Sequence, residues 1–167
     1  MDYVSFYLLE SSDDHDRLLR DIWKYKRQVI ESSHNIIQRV FPLNVESQHD
    51  RKAPILSDQD IETFKNNKDI QANIIKSLSW FLWSLGLKLS EDGTVVKESD
   101  FWLIKRSWLR LRNHNFLRIT RVLTFLCLVG MEDQAMSFYN CLVEIYKESK
   151  FAIGETTMQY WKDAIKL

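Results

Sequence analysis

The sequence predicts an all-α fold: a compact single domain over residues 1–167, built as a bundle of about seven or eight helices. Three observations carry this expectation. Only four Gly and two Pro interrupt the 167 residues, so there is little of the punctuation that strands and tight turns require. Apolar residues recur at spacings of three and four rather than two. With 45% hydrophobic and 28% charged residues, the chain has enough apolar surface for a continuous core without disulfide or metal staples.

Element by element, residues 1–12 carry no pattern that assigns an element. Asp13 or Asp14 is expected to cap a helix running to about Glu31, with Leu18, Leu19, Ile22 and Trp23 as its apolar stripe. Ser32 or Ser33 caps a short second helix burying Ile36, Ile37, Val40 and Phe41, stopped by Pro42. Residues 44–54 are polar and end in Ala-Pro, so they read as an irregular connection. Ser57-Asp58-Gln59-Asp60 is close to a capping box and launches a helix through Ile61 and Phe64 that ends near Asn66 and Asn67. From Lys68 or Asp69, the positions Ile70, Ile74, Leu78, Phe81, Leu82 and Leu85 mark a central helix, with Gly86 placed as its C′ residue.

Residues 87–98 contain the turn signal Glu91-Asp92-Gly93 flanked by Leu89 and Val95-Val96, a weak signal for a small hairpin, and a connection without strands is the expectation. Phe101, Ile104, Trp108 and Leu111 trace one face of the next helix. Asn113 or Asn115 caps another, carrying Ile119, Val122, Leu126 and Val129 and closed by Gly130. Two amphipathic segments follow: 132–147 through Ala135, Phe138, Leu142 and Ile145, then 155–166 through Met158, Trp161 and Ile165.

Lys plus Arg equals Asp plus Glu, 23 each, so charge-based recognition must come from segregation along the chain. The segregation lies in residues 101–131, which hold Lys105, Arg106, Arg110, Arg112, Arg118 and Arg121 and no Asp or Glu. Arg118 and Arg121 are three apart, within about 60° on a helix. With His114 and Asn115 at the helix start, they form a candidate cradle for a carboxylate or phosphate. The competing reading has these arginines bridging Asp58, Asp60 or Glu62 of neighbouring helices. His34 and Gln38, four apart on an otherwise apolar helix, need a ligand or buried backbone to satisfy them. The expected ligand-binding set is therefore His34, Gln38, His114, Asn115, Arg118 and Arg121, which should converge in space. Lys105, Arg106, Arg110 and Arg112, interleaved with Trp102 and Trp108, make an alternative surface for nucleic acid or an acidic protein. Its competitor is an amphipathic helix with solvated basic flanks.

Glycine-rich phosphate loops, nucleophile elbows and dinucleotide fingerprints are absent. Asp13, Asp14, Asp58 and Asp60 sit at expected helix starts, where capping explains them. His15, His34, His49 and His114 lack ligand spacing, and Cys127 and Cys141 lie in apolar contexts without a Cys-x-x-Cys pattern, so neither a metal, a cofactor nor a disulfide is expected. The acidic opening (Asp2, Glu10, Asp13, Asp14) does not resemble a signal peptide. The longest apolar run, 122–131, is far short of the roughly 20 residues of a membrane span. These features point to a soluble, intracellular, non-enzymatic binding module, with an enzyme of unrecognised type as a further alternative.

Several strings occur in the order found in one family. Phe6-Tyr7 looks like an early Phe-Tyr; His34, Asn35, Ile37, Gln38, Phe41, Pro42 and Leu43 fit His-Asn-Tyr-Ile-Gln-Trp-Leu-Phe-Pro-Leu, with Ile36 in place of Tyr and Arg39 in place of Trp. Ala53-Pro54 and the run from Leu56 to Ile61 resemble Ala-Pro-Leu-Leu-Thr-x-x-Glu-Ile, and Gly86 matches the glycine of Phe-Tyr-Gly-Leu, whose aromatic pair Ser84-Leu85 replaces. The residues His114 to Leu123 are similar to His-Asn-His-Leu-Arg-Ile-Thr-Arg-Ile-Leu. Together they resemble the conserved region of the opioid growth factor receptor family. The resemblance implies a helical domain, binding of an enkephalin-like peptide whose carboxylate an arginine holds, and, by analogy, a nuclear location beside the cytoplasmic one.

Overall fold

The computed structural model describes residues 1–166, and among them it contains ten helices and one two-stranded hairpin. Local chemistry sets most element boundaries. Asp2 caps α1 (Tyr3–Tyr7), its Oδ1 accepting from the Val4 and Ser5 amides at 2.9 and 3.1 Å. The chain then passes through residues 8–17, where Leu9 and Asp16 adopt left-handed φ values of 66° and 59° that a helix excludes. Two short helices follow, α2 (Leu19–Ile22) and α3 (Arg27–Ser32), in place of the single expected helix ending at Glu31. Asp13 and Asp14 cap neither. The Asp13 carboxylate accepts from the His15 and Arg17 amides and the Arg17 guanidinium, which closes the preceding loop instead. These divisions raise the helix number above the seven or eight expected.

Helix α4 (Ile36–Val40) starts at Asn35 rather than Ser32 or Ser33 and stops before Pro42, as the pre-proline restriction requires. The connection 44–56 is irregular. At Ser57 the capping box forms in full: Ser57 Oγ accepts from the Asp60 amide at 3.1 Å and Asp60 Oδ2 from the Ser57 amide at 3.0 Å, opening α5 (Asp58–Asn66). Helix α6 (Lys68–Ser84) buries Ile70, Ile74, Leu78, Phe81 and Leu82 as its periodicity predicts.

The described chain divides into two compact units, Met1–Trp80 and the residues from Phe81 onward, with the boundary inside α6. The first unit is organised around Tyr7. Its hydroxyl donates to the Val40 carbonyl, its own carbonyl accepts from Asn73 Nδ2 at 2.7 Å, and its ring meets Phe64 edge-on at 5.0 Å. One residue thereby ties α1 to α4, α5 and α6.

In the second unit, β1 (Leu87–Leu89) pairs antiparallel with β2 (Val95–Lys97), Leu87 opposite Lys97. The weakly signalled hairpin thus forms where a connection without strands was expected: Gly93 at φ 83° supplies the tight turn, and the Val95 amide donates to Ser137 Oγ at 2.8 Å, a tertiary anchor that local propensity does not contain. Helix α7 (Phe101–Trp108) ends a turn earlier than Leu111 implied, leaving Leu111 65% exposed. Helices α8 (Asn115–Leu128), α9 (Glu132–Ile153) and α10 (Glu155–Ala164) pack on one another. Helix α9 overruns its expected end at Lys147 and is kinked at Ser149. Trp161 of α10 pins α8, donating to the Phe116 carbonyl at 3.1 Å while its ring meets Phe116 edge-on at 5.7 Å.

Candidate functional site

Between α7 and α8 the chain makes a hydrogen-bonded turn. The Asn113 amide donates to the Arg110 carbonyl at 3.2 Å, and Arg112 is held at φ 57°, a region a non-glycine residue seldom occupies. Asn113 then launches α8: its Oδ1 accepts from the Asn115 amide at 2.9 Å and its Nδ2 donates to the Ser107 carbonyl at 3.3 Å. His114 occupies the N-cap position, but its side chain makes no capping bond.

Helical geometry now sorts the motif onto two faces. Asn115 and Arg118 point inward, 3% and 8% exposed, and Arg118 Nη1 donates to Asn115 Oδ1 at 3.2 Å. His114 and Leu117 are exposed and, with Thr120, line a cavity of about 350 Å³. Arg112, Asn113 and Phe116 complete its near wall, and Thr157 and Tyr160 of α10 close it from the other side. Of the residues singled out from sequence, the structure therefore brings Arg112 and His114 to this cavity. Arg121 is half-buried and lies outside its lining. Sequence reasoning missed Leu117, Thr157 and Tyr160. Leu117 carries a signal that could have been used, an apolar residue on the face opposite the buried Ile119 and Val122; Tyr160 is too distant in sequence for spacing to find it.

The basic segment before the cavity is exposed at Arg106, Arg110 and Arg112. Arg110 Nη2 donates to the Ser107 carbonyl at 2.9 Å, the same oxygen that Asn113 uses, so its guanidinium sits beside a residue of the cavity wall. Lys105 covers the Trp102 ring at 4.0 Å, and Lys97 approaches the same ring at 5.5 Å. Trp108 is fully buried, with its indole N–H on the Leu85 carbonyl at 3.0 Å, so it cannot serve as the exposed stacking ring suggested by the sequence.

In the first unit, His34 precedes α4 rather than lying on it, and is exposed. The expected i, i+4 pairing of His34 with Gln38 along one helix therefore fails, because α4 begins two residues later. Gln38 is 8% exposed, and its Oε1 is buried with no hydrogen-bond donor among the described residues. Asn35 works through its side chain, accepting from Arg17 Nη1 at 2.9 Å and meeting His15 Nε2 at 3.2 Å. Beside it, Arg39 is 1% exposed and ion-paired with Asp14 and Asp50. Hydrogen bonds from Arg39 hold the Asp14 carboxyl below its ordinary value against the opposing effect of burial. At Asp50 burial pushes upward, but the Arg39 hydrogen bond and charge outweigh it and the net direction is down.

Both cysteines are free and buried. Burial pushes the Cys127 thiol up and the Cys141 thiol up to about 11. Among the described residues no cluster of His, Cys, Asp or Glu could hold a metal, and no helix is long and apolar enough to cross a membrane. A wider hollow of about 550 Å³ lies between β2 and α9, with Asp133 and Glu144 in its lining; Glu144 is paired with Lys147 at 2.6 Å.

No solved structure matches the chain. Among curated proteins, it is 31% identical over 151 residues to the human opioid growth factor receptor, covering 86% of this chain and 22% of that protein. The rat opioid growth factor receptor is 30% identical over 170 residues, covering 98% of this chain and 29% of that protein. Mouse opioid growth factor receptor-like protein 1 is 32% identical over 111 residues, covering 66% and 24%. The chain thus spans about a quarter of the length of these relatives. The model of the opioid growth factor receptor (OGFr) conserved region matches residues 3–167, which takes in the Phe6-Tyr7 anchor, the α4 segment and both faces of the α8 motif, and the chain belongs to that family.

Proposed function

We propose that this protein is a non-enzymatic binding module that holds a short peptide, or a comparable carboxylate-bearing ligand, in the cavity at the start of α8. The cavity itself carries the proposal. Its volume of about 350 Å³ falls within the range of small-ligand sites, and its lining joins the Arg112 guanidinium and the His114 imidazole to apolar Phe116 and Leu117, with Thr120, Thr157 and Tyr160 as hydroxyl partners. A carboxylate is served by the guanidinium fork and an apolar side chain by the rings. The named relatives are receptors for an opioid growth factor, which supports a peptide as the ligand class.

A hydrolytic reading finds less support. Burial raises both thiols, the reverse of an activated nucleophile. The free thiols fit a reducing compartment, cytoplasmic or nuclear. Titration calorimetry with an enkephalin-like pentapeptide tests the proposal on the wild type and on Leu117→Ala. Saturable binding that the variant weakens about tenfold, with unchanged melting, is the expected result; equal binding by both proteins would place the ligand elsewhere.

A further inference from the structure

The cavity continues into a cationic rim that its lining alone does not convey. Arg112 belongs to the wall, and Arg110 adjoins it through the Ser107 carbonyl shared with Asn113. Neither Arg110 nor Arg112, nor the exposed Arg106 on α7, forms an ion pair among the described residues. The chain supplies no acid between residues 101 and 131 to neutralise them. Unpaired exposed arginines are individually ordinary. Three within seven residues, bordering a hollow with no carboxylate among its described lining residues, leave a local positive field on a chain of zero net charge.

Resting on the peptide-binding reading above, we infer that the cavity selects an acidic peptide: one that seats an apolar side chain between Phe116, Leu117 and Tyr160 and lays Asp or Glu residues over Arg112 and Arg110. Two further observations favour this occupant over a polynucleotide. Leu111, 65% exposed between the two arginines, offers an aliphatic contact that suits peptide side chains and does nothing for a sugar-phosphate backbone. The Trp102 ring, the one exposed indole on α7, is already covered by Lys105 and approached by Lys97, so it is not an open stacking platform. Arg112, at φ 57°, lies in the turn closed by the Asn113 amide on the Arg110 carbonyl, so residues 110 and 112 belong to one turn beside the cavity.

The test uses two fluorescein-labelled peptides in anisotropy titrations, Phe-Leu-Gly-Glu-Glu-Asp-Glu and its amide counterpart Phe-Leu-Gly-Gln-Gln-Asn-Gln. At about 50 mM salt the acidic peptide is expected to bind about five- to tenfold more tightly, the size of two exposed charge-assisted contacts, and the gap should shrink at about 500 mM. The double variant Arg110→Gln/Arg112→Gln should erase the gap; because Arg112 also lines the cavity, both peptides should fall to one common, lower affinity. Leu117→Ala should weaken both peptides alike. Equal affinity of the two peptides for the wild type overturns the acidic preference and leaves the cavity reading standing. A preference that survives the double variant also overturns it, as does displacement of the acidic peptide by a single-stranded oligonucleotide at lower concentration than by unlabelled acidic peptide. Failure of both peptides to bind overturns the cavity reading itself.

Discussion

Arg39 grips Asp14 through two parallel hydrogen bonds, Nε to Oδ1 at 2.6 Å and Nη2 to Oδ2 at 2.8 Å, while its Nη1 reaches Asp50 and the Asn35 carbonyl. The three segments so joined are a loop before α2, helix α4, and the irregular connection after Pro42. The loop before α2 has no hydrophobic stripe of its own, and the connection after Pro42 buries Ala53 and Leu56 at its far end. The ion network joins both loops to α4.

Breaking the network leaves two carboxylates without their cation. Arg39→Ala is expected to lower unfolding free energy by about 2–4 kcal/mol in urea titrations, less than for a wholly buried pair because the Asp14 and Asp50 side chains are 30% and 19% exposed. A loss under about 0.5 kcal/mol would show that the loops are held by other contacts.

The same carboxylates set an acid limit. Both are held below the unfolded value of about 3.9, so their contribution is complete above that pH and is lost as pH falls through the lower folded values. Stability should therefore decline below about pH 4, and Asp14→Asn/Asp50→Asn should flatten that decline while lowering stability at neutral pH. Identical acid profiles of variant and wild type would remove the network as the cause.

Several readings from helical period or capping agree with the structure: the Ser57 capping box, the α6 stripe, the stop at Pro42 and the inward row on α8 were legible, whereas the caps expected at Asp13 or Asp14 and at Ser32 or Ser33 were not formed. Each of those signals is local, decided within a few residues. The breaks between α2 and α3, the hairpin and the early end of α7 were not legible, because partners distant in sequence decide them. Asp13 shows the limit well. Its type and place fit an N-cap, yet the Arg17 guanidinium and two loop amides take it. The candidate site divides the same way: spacing located the α8 motif, but only the packing of α10 reveals which of its faces encloses a hollow.

Gly86 is a position where local and tertiary demands coincide. Its φ is 75°, and a Cβ there would lie 3.1 Å from both Phe101 Cα and Ile104 Cβ. Gly86→Ala should cost more than about 1 kcal/mol, from the left-handed backbone and the close approach of α7 together. A loss of only a few tenths in thermal melts would mean that α7 shifts to make room.

Gln38 makes the opposite prediction. Its buried Oε1 has no donor among the described residues, so the native state retains a desolvated acceptor. Gln38→Leu should leave stability unchanged or raise it by about 1 kcal/mol, since an apolar group of similar size removes an unsatisfied polar atom. A stability loss above 1 kcal/mol would show that this oxygen is satisfied in solution.

Arg118 and Leu117 are neighbours in the motif that the helix sends in opposite directions, and substituting each separates a structural role from a binding one. Arg118 is 8% exposed and bonded to Asn115, itself 3% exposed. Its removal deprives a buried amide of a charge-assisted donor and opens space inside the unit. Arg118→Ala should therefore cost about 2–3 kcal/mol of stability whether or not a ligand is present. Leu117 is 53% exposed on the cavity wall, and Leu117→Ala should leave melting within about 0.5 kcal/mol of wild type while weakening the pentapeptide. Urea titration and calorimetry on both variants read the two effects independently. If Arg118→Ala melts like wild type yet loses binding, the anion contact belongs to the inner face of α8 and the cavity is not where the ligand sits.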